Sequence, residues 1–159
     1  MRDPITRTAF GALGFELAKS IVGPWSRRGG LRRDVPSPCV AASRRVWACY
    51  VTGADMQTGV PGGLGRILMG AAVMEVRLEF GVRDPLDAAE ALCAGYGARA
   101  LRVLANRRCL NALIISEPAS LGSHPADAAS FFAHLRRHGI DVFAANTGWL
   151  GAADFGDSD

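Results

Sequence analysis

Val46-Trp47-Ala48-Cys49-Tyr50-Val51-Thr52 and Leu110-Asn111-Ala112-Leu113-Ile114-Ile115-Ser116 are compact, nearly continuous apolar runs. Both are too short for stable helices, and both are rich in residues that suit a pleated surface. They read as strands buried on two faces, the pattern of a parallel sheet. Working outward, Val73 to Val82 alternates, with Val76, Leu78, Phe80 and Val82 on one face and Glu75, Arg77 and Glu79 on the other. That predicts a half-buried strand. Ile140 to Ala145 predicts a fourth.

Helical signals separate these runs. Leu64, Ile67, Leu68 and Ala71 form a short apolar stripe. Asp84-Pro85 has the form of a helix start, predicting a helix to about Ala94 and a second piece over Ala98 to Ala105. Pro125 to His138 is the clearest helix, with Ala128, Phe131, Phe132 and Leu135 as its core stripe. Arg136 and Arg137 suit its negative C-terminal end, and Gly139 is the stop. Strands alternating with helices predict a three-layer α/β domain, a mainly parallel sheet of about four strands with helices on both faces.

The 159 residues divide into a basic arm over 1–45, the α/β domain over 46–150 and an acidic, frayed tail over 151–159. Phe10, Leu13, Leu17 and Ile21 predict a helix over 4–22 within a partly disordered arm. Glu16 interrupts this stretch, so it makes a poor signal peptide. The formal net charge is +3, but it is unevenly spread. Residues 1–45 carry nine basic residues against three acids, while residues 46–159 carry nine Arg against twelve acids. The arm is therefore the predicted nucleic-acid contact, through Arg27, Arg28, Arg32, Arg33, Arg44 and Arg45. No run of 18 apolar residues occurs, so no membrane span is expected. Cys39, Cys49, Cys93 and Cys109 form no CxxC pair and have no His at metal spacing. They predict free thiols in a reducing, cytoplasmic setting, with no metal and no cofactor.

Two loops qualify as sites because they follow strands. The first carries Gly59, Gly62, Gly63 and Gly65, then Arg66. It reads either as a flexible turn or as a backbone cradle for phosphate, although it lacks the ending of a P-loop. The second carries Glu117, Ser120, Ser123 and His124. It reads either as a nucleophile with a base, as in a serine hydrolase, or as a cap for the helix that follows.

The run Trp47 to Gln57 (WACYVTGADMQ) resembles the opening of serine recombinase (resolvase/invertase) catalytic domains, an apolar strand ending in Tyr-x-Arg-x-Ser followed by Thr and Gln. Glu75 to Phe80, Arg102 to Ala105, Leu110 to Ser116, Glu117 to Ser123 and Ala133 to Ile140 are similar to later pieces of that family, in the same order. The resemblance implies a resolvase-like fold, and a Ser attacking a DNA phosphodiester with several Arg stabilising the developing charge. This chain departs from the pattern where the chemistry lies. Ala54 and Gly53 stand where the nucleophile is sought, and Thr52 is the nearby hydroxyl, aligned by a one-residue gap. In the second motif loop, Ala119, Ser120 and Ser123 replace an Asp and two Arg. The implied function is a DNA-associated or self-associating relative without strand exchange. The alternatives are a small nucleotide- or phosphate-binding module and an orphan structural protein without chemistry.

Overall fold

The computed structural model describes residues 21–22, 37–52, 55, 63–83, 96–122 and 124–155. In chain order these form β1 (Ile21–Val22), α1 (Pro38–Ser43), β2 (Trp47–Val51), α2 (Gly63–Val73), β3 (Leu78–Arg83) and α3 (Tyr96–Asn106). They continue with β4 (Ala112–Ile115), a 3-10 turn over Pro118–Leu121, α4 (Pro125–Arg137), β5 (Asp141–Ala144), β6 (Gly148–Trp149) and a second 3-10 turn over Ala152–Phe155. One sheet runs β1-β3-β2-β4-β5-β6. Its four central strands are parallel, as expected from the sequence, and two short antiparallel strands edge them.

Alternation along the strands builds two cores. Ala48, Tyr50, Leu113 and Ile115 face α3 and α4, packing with Leu101, Leu104, Phe131 and Leu135. Trp47, Cys49, Ala112 and Ile114 face α2, packing with Ile67 and Ala71. Helices therefore cover both faces. Each full side chain of this kind contributes roughly 1.5–3 kcal/mol when removed from water.

The ends of α2, α3 and α4 share one chemistry. Glu75, Arg108 and Gly139 have φ of 57°, 56° and 77°. At each, the N–H of that residue and of the next bond back into the last helical turn. For α2, Glu75 donates to the Ala72 carbonyl and Val76 to that of Ala71. This is the Schellman closure, which satisfies otherwise orphaned carbonyls. Only α4 ends with the expected glycine.

Several expectations are corrected. Val73 belongs to α2, not to a strand, because the closure at Glu75 ends the helix without a glycine signal. β3 is buried on both faces rather than half-buried. A register shift opposite Trp47 and Ala48 breaks its alternation: Leu78 joins the α2-side core, while Phe80 and Val82 join the other. Ile21 and Val22, expected at a helix end, instead form β1 against Val82 and Gly81. The rest of the helix expected over 4–22, and the helix expected from Asp84 to Ala94, lie outside the described residues.

Residues ahead of 46 also pack against the sheet. Val40 and Ala41 of α1 pack on the main core. Asn111 donates to the Ala41 and Arg44 carbonyls at 2.8 and 3.0 Å, and its side-chain oxygen accepts the Val46 N–H. The tail expected to fray from 151 instead turns Phe155 inward against Phe132, with ring centroids 4.7 Å apart.

Candidate functional site at the strand tips

The strand order reverses at β2, with β3 on one side and β4 on the other. In open α/β sheets the carboxyl ends of such neighbours are the usual ligand position. Four polar side chains are buried here: Thr52, Asp55, Ser116 and Ser120.

Thr52 follows β2 directly. The Asp55 carboxylate accepts the Thr52 N–H at 2.9 Å and the Thr52 hydroxyl at 3.1 Å. In return, the Asp55 N–H reaches the Thr52 hydroxyl oxygen at 3.4 Å and its carbonyl at 3.1 Å. This reciprocal pairing across three residues is a capping box with Asp in the acidic position. Ser116, directly after β4, donates to the other Asp55 oxygen at 2.6 Å. Its single proton is thereby committed, so the 3.0 Å contact between Ser116 and Ser120 has Ser120 as donor. A hydrogen-bond chain thus runs from Ser120 through Ser116 to Asp55, and Thr52 joins from the other side.

Gly63 opens α2 beside the same carboxylate. A Cβ there would lie 2.0 Å from an Asp55 oxygen. The carboxylate therefore occupies the positive end of α2, where an anion is favoured. The Gly-rich segment, one reading of which was a phosphate cradle, meets an internal anion at Gly63. Cys49 lies just beneath, and burial, aided by the Asp55 charge, pushes its thiol well above the ordinary range. Such a thiol is inert as a nucleophile.

The candidate residues from the sequence fall into distinct places. Thr52 and Ser120 meet through Asp55 and Ser116, while Glu117 is exposed nearby and Ser123 is outside the described residues. His124 is exposed at the start of α4 and makes no side-chain cap bond. Arg66 is exposed on α2. Arg44 and Arg45 lie at the opposite end of the sheet, and both are engaged. Arg44 pairs with Glu79 through both terminal nitrogens, one at 2.7 Å. Arg45 pairs with Asp141 at 2.7 Å and lies 5.7 and 5.5 Å from the ring centres of Trp47 and Trp149. Arg27, Arg28, Arg32 and Arg33 lie outside the described residues.

Asp55 and Ser116 escaped the sequence reading of candidate sites. The Thr52-x-x-Asp55 spacing was the available signal for one. For the other it was a hydroxyl ending an apolar strand. Arg83 was also missed: it ends β3 in register with Val51, and its Nε is buried without a hydrogen-bond partner. Among the described residues, no guanidinium pairs with the Asp55 carboxylate, and no group of His, Cys, Asp or Glu is placed to hold a metal ion. No helix among them is long and apolar enough to cross a membrane.

No protein-family model and no curated protein matches the chain. Among solved structures, its fold is similar to the N-terminal catalytic domain of TP901-1 integrase, with a TM-score of 0.55 and 12% identity. The match covers 65% of this chain and 79% of that one. The likeness is one of fold, and it agrees with the resolvase-like architecture expected from the sequence.

Proposed function

We propose that this chain is a DNA-associated relative of site-specific recombinase catalytic domains that does not carry out strand exchange. The observation that carries this reading is the closed network at the strand tips. Phosphoryl transfer needs a free nucleophile and positive charge around the phosphate. Here the hydroxyl protons of Thr52, Ser116 and Ser120 are all held internally, and a carboxylate lies at their centre. A phosphodiester brought to this place would meet like charge at Asp55. The resolvase-like fold supports the link to DNA, and the basic arm supplies Arg27, Arg28, Arg32 and Arg33 for phosphate contact. A cytoplasmic setting suits free Cys39, Cys49 and Cys109. Self-association belongs to the same reading: Met69, Val73 and Trp149 are exposed at 66%, 78% and 51%.

Fluorescence anisotropy of a labelled duplex, with the full chain and rising salt, tests the DNA association. Binding that weakens steeply between about 50 and 200 mM salt is the expected result. A denaturing gel of the same mixtures should show no covalent protein–DNA adduct. Absence of binding at the lowest salt, or an adduct that survives denaturation, would overturn the reading. Sedimentation velocity reads the oligomer; a second species that disappears in Val73→Glu supports self-association, and a single monomer peak at all concentrations removes it.

A further inference from the structure

We propose that the carboxyl-terminal ends of α3 and α4 form a second phosphate-contact surface, fitted to the backbone of duplex nucleic acid. This rests on the DNA-associated reading above and assigns that role to residues outside the arm.

Residues 96–108 contain Arg99, Arg102, Arg107 and Arg108 and no acid. The last turn of α4 and its cap add His134, Arg136, Arg137 and His138. The fold brings these together. The Arg102 guanidinium stacks 4.5 Å from the centre of the buried Phe131 ring, which orients it on α4. The His134 and His138 rings lie 4.6 Å apart. Arg107, Arg108 and His138 line one cavity of about 480 Å³ between the ends of α1, α3 and α4. Burial, followed by the charges of His138, Arg102 and Arg137, holds the His134 imidazole below its ordinary range.

Asp127 sits in the first turn of α4, at its other end. Asp141, at the start of β5 beside this surface, pairs with Arg45 and Arg136, so Arg136 is engaged and the contact falls to Arg102, Arg108 and Arg137. Residues 46–159 have more acids than bases, so the positive charge on this face is a local polarisation. Arg108 and Arg137 are exposed, and Arg102 is half-buried with its guanidinium carbon over an aromatic ring. A planar guanidinium carries N–H groups in a fork that matches phosphate. The exposed large apolar side chains, Met69, Val73 and Trp149, belong to α2 and β6 and not to α3 or α4. A protein partner needs aromatic or aliphatic anchors at the centre of its interface. Cations without such anchors fit a nucleic-acid backbone better than an acidic protein.

The test compares four versions of the full chain: wild type, the triple variant Arg102→Gln/Arg108→Gln/Arg137→Gln, its counterpart with Lys at the same three positions, and the arm variant Arg27→Gln/Arg28→Gln/Arg32→Gln/Arg33→Gln. Each is titrated with a labelled duplex over a salt series. Each lost phosphate contact lowers the log–log salt slope by about 0.9, so the triple variant should lose about 2 to 3 from it. Its affinity at about 50 mM salt should fall at least tenfold. The Lys version of the triple variant should recover most of the slope, which separates lost charge from lost folding. An unchanged slope in the triple variant, with loss confined to the arm variant, overturns this inference and leaves the DNA-associated reading standing. No binding by wild type removes both. Poly-glutamate that competes with the duplex at equal charge concentration would instead assign the surface to an acidic polypeptide.

Discussion

The two ends of the parallel sheet carry opposite chemistry. At the carboxyl tips, Thr52, Asp55, Ser116 and Ser120 satisfy one another in a buried network around a carboxylate. At the other end, Asn111 clamps α1 to the sheet, and the ends of α3 and α4 gather arginines at the surface. Among the described residues, a buried carboxylate lies at the usual ligand end, while exposed arginines lie at the opposite end. Thr52, Asp55, Ser116 and Gly63 make the strand tips a structural joint, linking β2, β4 and the start of α2.

The joint can be broken most directly at Asp55. Asp55→Ala removes two acceptor oxygens and three hydrogen bonds, leaving the buried Thr52 N–H and hydroxyl without their partner. The loss should be about 3 kcal/mol, read as a lower urea midpoint with an unchanged slope. A loss under about 1 kcal/mol would mean that water replaces the carboxylate, and that the tips are not closed. Gly63→Ala attacks the same joint from α2, since its Cβ would collide with the carboxylate. It should cost about 2 kcal/mol. In the double variant with Asp55→Ala the two costs should add to much less than their sum, because the clash disappears with the carboxylate.

At the other end, Asn111→Ala removes two donors and one acceptor from the α1 clamp. About 2 kcal/mol should be lost, and amide exchange at Val46 should accelerate. Smaller effects mark the helix ends. Glu75→Gly relieves a left-handed residue at the end of α2, against the greater unfolded-state freedom of glycine. A net gain of about 0.5 kcal/mol is expected from the same urea curves.

The smallest effect is that of pH. His134 is held below its ordinary value by burial and by neighbouring His138, Arg102 and Arg137. Above about pH 6.5 it is neutral in both states and costs nothing. As pH falls below that value the unfolded chain takes up the proton first, and stability declines until the folded imidazole is also charged. His134→Gln should flatten this part of the stability profile, and an unchanged slope would remove His134 as its source.

Much of the architecture is legible in the sequence, because hydrophobic periodicity reports burial. The apolar runs at 46–52 and 110–116, and the stripe of Ala128, Phe131, Phe132 and Leu135, each occupy the expected places. What failed was local. The register shift beside Trp47 reverses the faces of Leu78 and Phe80, and no alternation rule anticipates it. Glu75 ends α2 in a conformation that sequence rules reserve for glycine. Ile21 and Val22 are placed by pairing with a distant strand, which a local helical period does not reveal. In the site, Thr52 and Ser120 were legible as hydroxyls near strand ends. The partner joining them, Asp55, was hidden because its role depends on Ser116, 61 residues away.

The contrast between the two ends is tested together by amide NMR of the full chain titrated with duplex DNA. Shifts should concentrate at Arg102, Arg108, Arg137 and their neighbours, with Thr52, Asp55 and Ser116 unmoved. Shifts centred on Thr52, Asp55 and Ser116, with α3 and α4 silent, would show that the strand tips receive the nucleic acid and would contradict the account.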